Sequence, residues 1–109
     1  MIEWADLACK KYHELRWLHS INNGAYVSIG VAVKLKKAGT RRGIPDLMLP
    51  VARDGFHGLY IEMKRQKGGH VDPDQKECHA FLIDQGYRVD VCRGWEAAKR
   101  VIVEYLESK

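Results

Sequence analysis

The period of apolar and polar positions changes several times along the chain, and each change marks an element. Trp4, Ala8, Leu15 and Leu18 supply the buried side of a first helix over residues 1–19, which no Gly or Pro interrupts. Asn22-Asn23-Gly24 is a turn signal, and residues 25–33, rich in small and β-branched side chains, predict a strand or extended segment. Residues 46–51 and 59–64 alternate as strands, and residues 52–58, with Asp54-Gly55 inside, join them as an antiparallel hairpin. A turn centred near Asp54 sets Asp46 opposite Glu62. The period of two then puts Asp46, Met48, Tyr60, Glu62 and Lys64 on one face, and Leu47, Leu49, Leu59, Ile61 and Met63 on the other, which is the core side.

Downstream, Asp72-Pro73-Asp74-Gln75 has the form of a helix start, with Asp at the N-cap, Pro at N1 and Gln at N3. That helix runs to about residue 85, stops at Gly86 and lays Cys78, Phe81 and Leu82 on a sheet. Residues 87–92 form the next strand. Gly94 opens a last helix to about residue 106, with Trp95, Ala98, Ile102 and Tyr105 or Leu106 turned inward. The order α-β-β-β-α-β-α predicts an α/β fold, a mixed β-sheet flanked by helices, with no repeat or linker.

Composition narrows the class. A chain of 109 residues buries about 65% of its unfolded surface, enough for one core, so a single domain over residues 1–109 is expected. No apolar run approaches the roughly 20 residues of a membrane span, and Glu3 and Asp6 stand where a secretory signal needs positive charge, so a cytoplasmic protein is expected. Cys9, Cys78 and Cys92 form neither an even set nor a C-x-x-C pair, and read as reduced, core-type thiols. Net charge is +4, yet residues 15–45 hold no acid and six cations: Arg16, Lys34, Lys36, Lys37, Arg41 and Arg42. Such a block suits a polyanion, because cations that neutralise phosphates release counterions; a solvated face or an acidic protein partner would explain it equally simply. The chain has no phosphate-cradling G-x-x-x-x-G-K-[ST] loop and no G-x-S-x-G elbow, so neither a nucleotide cofactor nor serine hydrolysis is indicated.

The candidate chemistry lies on the hairpin. Pro45-Asp46, fifteen further residues and then Glu62-Met63-Lys64 make the pattern P-D…E-x-K. Two carboxylates from facing strands suit hard Mg²⁺ and leave positions for water and a phosphate oxygen, with the Met63 backbone carbonyl as a further ligand. The E-x-K spacing sets Lys64 on the same face, where an ammonium can orient water and offset charge on a phosphorane. The bland alternative is a surface hairpin whose Asp, Glu and Lys form exposed ion pairs. Gly39, Gly43, Gly68 and Gly69 in the flanking basic loops allow close backbone approach to a substrate. Lys34, Lys36, Lys37, Arg41 and Arg42 read as phosphate contacts on a strand and loop, and Arg65 and Lys67 extend that set beyond Lys64. Gln75 is open between a cap and a place in the site. His13, His19, His57 and His79 make no ligand set, and Cys78-His79 with Cys92 lacks the spacing of a structural zinc site.

Residues 43–50 (GIPDLMLP), 58–64 (GLYIEMK), 72–75 (DPDQ), 85–89 (QGYRV) and 93–98 (RGWEAA) together resemble the VRR-NUC, or virus-type replication-repair nuclease, branch of the PD-(D/E)XK nucleases. The resemblance implies a restriction-endonuclease-like core, Mg²⁺ dependence with Mn²⁺ as substitute, and work in DNA repair, replication or recombination. Carried over, Asp46 and Glu62 are metal ligands, Lys64 the catalytic lysine and Gln75 the motif glutamine. The resemblance also implies a metal-binding first-helix glutamate, for which Glu3 is the first candidate and Glu14 the second, the alternative being a position before Met1; Asn22-Asn23-Gly24 replaces the usual Pro-Asn-Gly. The reading that follows is a Mg²⁺-dependent, structure-selective DNA endonuclease of viral or bacterial type. It would act as a homodimer on branched DNA such as a Holliday junction. A non-catalytic DNA-binding module, or a nuclease on simple duplex or single-stranded DNA, are the alternatives.

Overall fold

A computed structural model describes residues 1–21 and 28–109. Helix α1 (Ile2–Ala8) is followed by a 3₁₀ turn (His13–Trp17), strand β1 (His19–Ser20), helix α2 (Ile29–Lys37), strands β2 (Leu47–Leu49) and β3 (Leu59–Lys64), helix α3 (Pro73–Asp84), strand β4 (Arg88–Arg93) and helix α4 (Trp95–Glu107). The four strands form one sheet in the order β1-β2-β3-β4, antiparallel at the first two junctions and parallel at the third. This is the expected mixed sheet with flanking helices. Among the described residues no helix is long and apolar enough to cross a membrane.

The helix expected over residues 1–19 is broken. A continuous rod could not also place His19 and Ser20 in the sheet beside Met48 and Leu47. The chain therefore leaves α1 at Cys9, buries Leu15 in the 3₁₀ turn and becomes extended at Leu18. The segment expected to be extended at residues 25–33 is corrected in its second half: Ile29 onward is helical, while residues 22–27, with the Asn-Asn-Gly turn, lie outside the described residues. Ser28 caps α2 by accepting from the Val31 N–H at 3.3 Å, and Lys34, Lys36 and Lys37 fill its last turn, where cations complement the helix dipole.

The hairpin carries a tight two-residue turn. Arg53 and Phe56 exchange backbone hydrogen bonds of 3.2 and 2.8 Å around Asp54 and Gly55, both with positive φ (51° and 82°), as a type I′ turn requires. The strands pair Leu47 with Ile61, Met48 with Tyr60 and Leu49 with Leu59, and the same step carried one residue on sets Asp46 opposite Glu62. Three residues, Pro50, Val51 and Ala52, separate Leu49 from Arg53, whereas only His57 and Gly58 separate Phe56 from Leu59. The additional residue on the first side is an irregularity of the β-bulge kind. It shifts the strands by one place relative to their turn.

Leu47, Leu49, Leu59 and Ile61 join Ala5, Leu15, Leu18, Cys92, Ala98, Ile102, Tyr105 and Leu106 in one buried cluster, so α1 and α4 cover the apolar face of the sheet. The Tyr105 hydroxyl donates to the Val51 carbonyl at 2.5 Å, tying α4 to the irregular stretch. Trp95, expected inward, is 52% exposed, because it opens α4 one turn before the first core residue, Ala98. Helix α3 has the full capping box of Asp72 and Gln75 and ends before Gly86, whose φ of 94° is the left-handed conformation of a helix stop. Its buried side chains are His79 and Leu82, with Cys78 half-buried; Phe81, expected against the sheet, is exposed. The helix is rotated so that Gln75, His79 and Leu82 face the sheet, which carries Phe81 outward.

Candidate active site

The site forms where the ends of β2 and β3 meet the N-terminal half of α3. Asp46 immediately precedes β2, following buried Pro45, and its Oδ2 accepts the Met63 backbone N–H at 2.7 Å. That bond fixes the Asp46 side chain across the end of β3. Glu62, in β3, is 1% exposed. Burial, a hydrogen bond with Asp46 and the charge of Asp46 push its carboxyl from the ordinary 4.5 up to about 8, against the opposing pull of Lys64. Two carboxyl groups in contact in a poorly hydrated place cannot both ionise cheaply without a cation.

Lys64 follows on the same face, half-buried, and its Nζ donates to Gln75 Oε1 at 2.9 Å. The same oxygen accepts from the Asp72 N–H at 3.0 Å, and the Gln75 N–H donates to Asp72 Oδ1 at 2.9 Å. Gln75 therefore serves both as the helix cap and as the partner of Lys64. The side chain that sequence reasoning passed over is His79. Its Nε2 lies 3.3 Å from Glu62 Oε1, and the imidazole is held below its ordinary 6.5 by burial and by the charge of Lys64. The signal was present: His79 is four residues beyond Gln75 and shares its helix face.

Other expected ligands lie elsewhere. Glu3 is exposed on α1, whose Ala5 packs on the opposite, apolar face of the sheet. Glu14 is committed to Arg53 NH2, 2.6 Å away, at the turn end of the hairpin. Among the described residues no group of three or more His, Cys, Asp and Glu side chains is gathered as a complete metal cage. Asp46 and Glu62 nevertheless fit Mg²⁺ by donor chemistry, since that ion is commonly held by one or two carboxylates and keeps water and phosphate oxygens for its other positions.

A groove of about 610 Å³ adjoins the site, lined by Lys36, Arg41, Arg42, Gly43, Asp72, Asp74 and Gln75 together with apolar residues of α2. Gly43, at φ +85°, lies so near the start of α3 that a Cβ there would come within 2.5 Å of the Asp74 carbonyl. Arg42 Nε pairs with Asp74 Oδ2 at 3.3 Å, so the basic loop is docked on the helix that carries Gln75. All seven expected phosphate contacts, Lys34, Lys36, Lys37, Arg41, Arg42, Arg65 and Lys67, are exposed. The expectation of a strand and loop for these cations is corrected for Lys34, Lys36 and Lys37, which lie in helix α2. A helix turns Lys36 about 200° from Lys34, and of the α2 lysines only Lys36 lines the groove. In the loop that follows Lys64, the carbonyls of Arg65, Gly68 and Gly69 accept from one terminal nitrogen of Arg93 at 3.3, 2.7 and 2.9 Å.

The VRR-NUC domain profile matches residues 2–96. The chain belongs to the VRR-NUC family. A solved VRR-NUC domain protein superposes with a TM-score of 0.73 at 25% identity, over 97% of this chain and 88% of the other. No match is found among curated proteins. As a VRR-NUC member the chain belongs to a family of nucleases, for which DNA is the substrate class.

Proposed function

We propose that this VRR-NUC chain is a Mg²⁺-dependent, structure-selective endonuclease that hydrolyses phosphodiester bonds in branched DNA, such as four-way junctions. The observation that carries the reading is the placement of Asp46 and Glu62 together at one hairpin end with Lys64 steered beside them by Gln75. Asp46 and Glu62 would hold Mg²⁺, or Mn²⁺ in its place, with the Met63 carbonyl as a further ligand. The ion supplies Lewis-acid polarisation of the phosphate and a more acidic water. Asp46, fixed by the Met63 N–H, needs little reorganisation to bind it. Glu62, whose carboxyl is pushed up by burial and by Asp46, would hold such a cation as the carboxylate. Lys64, whose Nζ donates to the Gln75 amide oxygen, would orient water and balance the phosphorane. Lys36, Arg41 and Arg42 along the groove, with Arg65 and Lys67 beyond Lys64, would hold the DNA backbone on both sides of the scissile bond.

A two-fold homodimer would offer paired sites to the near two-fold symmetry of a junction. The test is cleavage of a labelled synthetic four-way junction beside its linear duplex, with Mg²⁺, Mn²⁺ or EDTA. Paired nicks at the branch are expected with either metal and none with EDTA, and Lys64→Ala should lower the rate at least ~100-fold. Equal cutting of the linear duplex would replace junction selectivity with a simple nuclease. Tight binding of both DNAs without cleavage would make the chain a binding module.

A further inference from the structure

Glu62 and His79 are the two buried polar or charged side chains among the described residues, 1% and 8% exposed, and they meet each other. They belong to a wider match between strand and helix. Glu62 and Lys64 are two residues apart on β3, a step of about 6.6 Å, and their partners His79 and Gln75 are four residues apart on α3, a step of about 6 Å. The near-equality lets one helix face answer both members of the E-x-K pair, running in the opposite sense: Gln75 on Lys64, His79 on Glu62. Gln75 is fixed by the capping box, and His79 is fixed because Leu82, one turn on, is buried on the same face.

We infer that His79 is a positioning residue, whose ring N–H holds Glu62 Oε1 so that the other carboxylate oxygen is turned toward Asp46 and the metal. The inference rests on the metal-dependent reading given above and adds to it a residue outside the P-D…E-x-K pattern. A metal-bound carboxylate offers only acceptors, so the Nε2 atom must carry the proton in that state. Without this donor Glu62 would keep its place in the sheet but lose a fixed rotation about its last bond, and metal affinity would fall. Hydrogen-bonded supports of metal-binding carboxylates commonly contribute about 10- to 100-fold in affinity.

The experiment is Mn²⁺ binding to the full chain without DNA, read by the loss of the free-ion electron paramagnetic resonance signal, with thermal melting run in parallel. His79→Gln retains an N–H near the position of Nε2, whereas His79→Asn is one methylene too short. Binding within about threefold of wild type for His79→Gln, and at least ~10-fold weaker binding for His79→Asn at a similar melting temperature, is expected. Wild-type affinity in His79→Asn overturns the inference alone, as does equal loss in a well-folded His79→Gln. A wild-type chain that takes up no Mn²⁺ overturns the metal-dependent reading and the inference together.

Discussion

Gln75 Oε1 receives two donors, one structural and one chemical, and substitutions can separate them. Asp72→Ala removes the cap while leaving Gln75 beside Lys64; Gln75→Ala removes both contacts. Each should cost about 1 kcal/mol in urea unfolding, but only Gln75→Ala should reduce junction cleavage by ~10-fold or more in a single-turnover assay. Cys92 gives a pH signature away from the site. Burial, with the charge of Asp90, raises its thiol from 9.0 to about 11 against the pull of Arg88. The unfolded chain therefore releases this proton first, so the contribution to stability is complete below pH 9 and is lost as pH rises through 11. Chemical denaturation across that interval should show the loss in wild type and a weaker one in Cys92→Ala. At pH 8 iodoacetamide should label Cys92 in denaturant but not in the fold. Glu62 and Lys64 were legible as a same-face pair because strand alternation assigns them. In the sequence Asp46 joins them only through a turn centred on Asp54, whereas the turn lies between Asp54 and Gly55 and the additional residue in Pro50–Ala52 restores that pairing. His79 was not legible, because a histidine's value depends on the rotation of its helix. The pattern through Cys78 and Phe81 pointed that rotation the wrong way.

Among the elements, α3 and the hairpin were readable and α2 was not. Asp72-Pro73 at one end and Gly86 at the other mark α3 chemically, whatever lies against it. In α2, Ile29, Val31 and Val33 alternate like a strand, yet all three are exposed, so no buried face exists to impose that period. Capping by Ser28 and the C-terminal lysines are the local signals for the helix instead. The loop after β3 owes its shape to a residue far along the chain, since Arg93 at the end of β4 gathers three of its carbonyls. Arg93→Ala should leave the melting temperature within a few degrees and raise the rate of tryptic cleavage after Arg65 and Lys67 about 10-fold. An unchanged digestion pattern would show that the loop holds its shape without the clamp.

For the whole molecule, exposed cations gather around the candidate site: Lys36, Arg41 and Arg42 line the groove that Gln75 also lines, and Arg65 and Lys67 follow Lys64 in the loop after β3. Junction affinity measured against salt should give a straight log–log line, and Arg41→Ala and Lys36→Ala should each reduce its slope by about 0.9 if each side chain neutralises one phosphate. The apolar layer beneath α1 and α4 packs Leu47, Leu49, Leu59 and Ile61 of β2 and β3 into the core. The stretch Pro50–Ala52 gives the hairpin an unusual sensitivity to length. Had the strands continued directly from the pairing of Arg53 with Phe56, Asp46 would stand opposite Met63, and its side chain would face away from Glu62. The loop thus sets a reading frame for the hairpin end that carries Asp46 and Glu62. A single-residue deletion there, the kind of change surface turns ordinarily absorb, would leave every functional side chain in the sequence and divide them between opposite faces of the sheet.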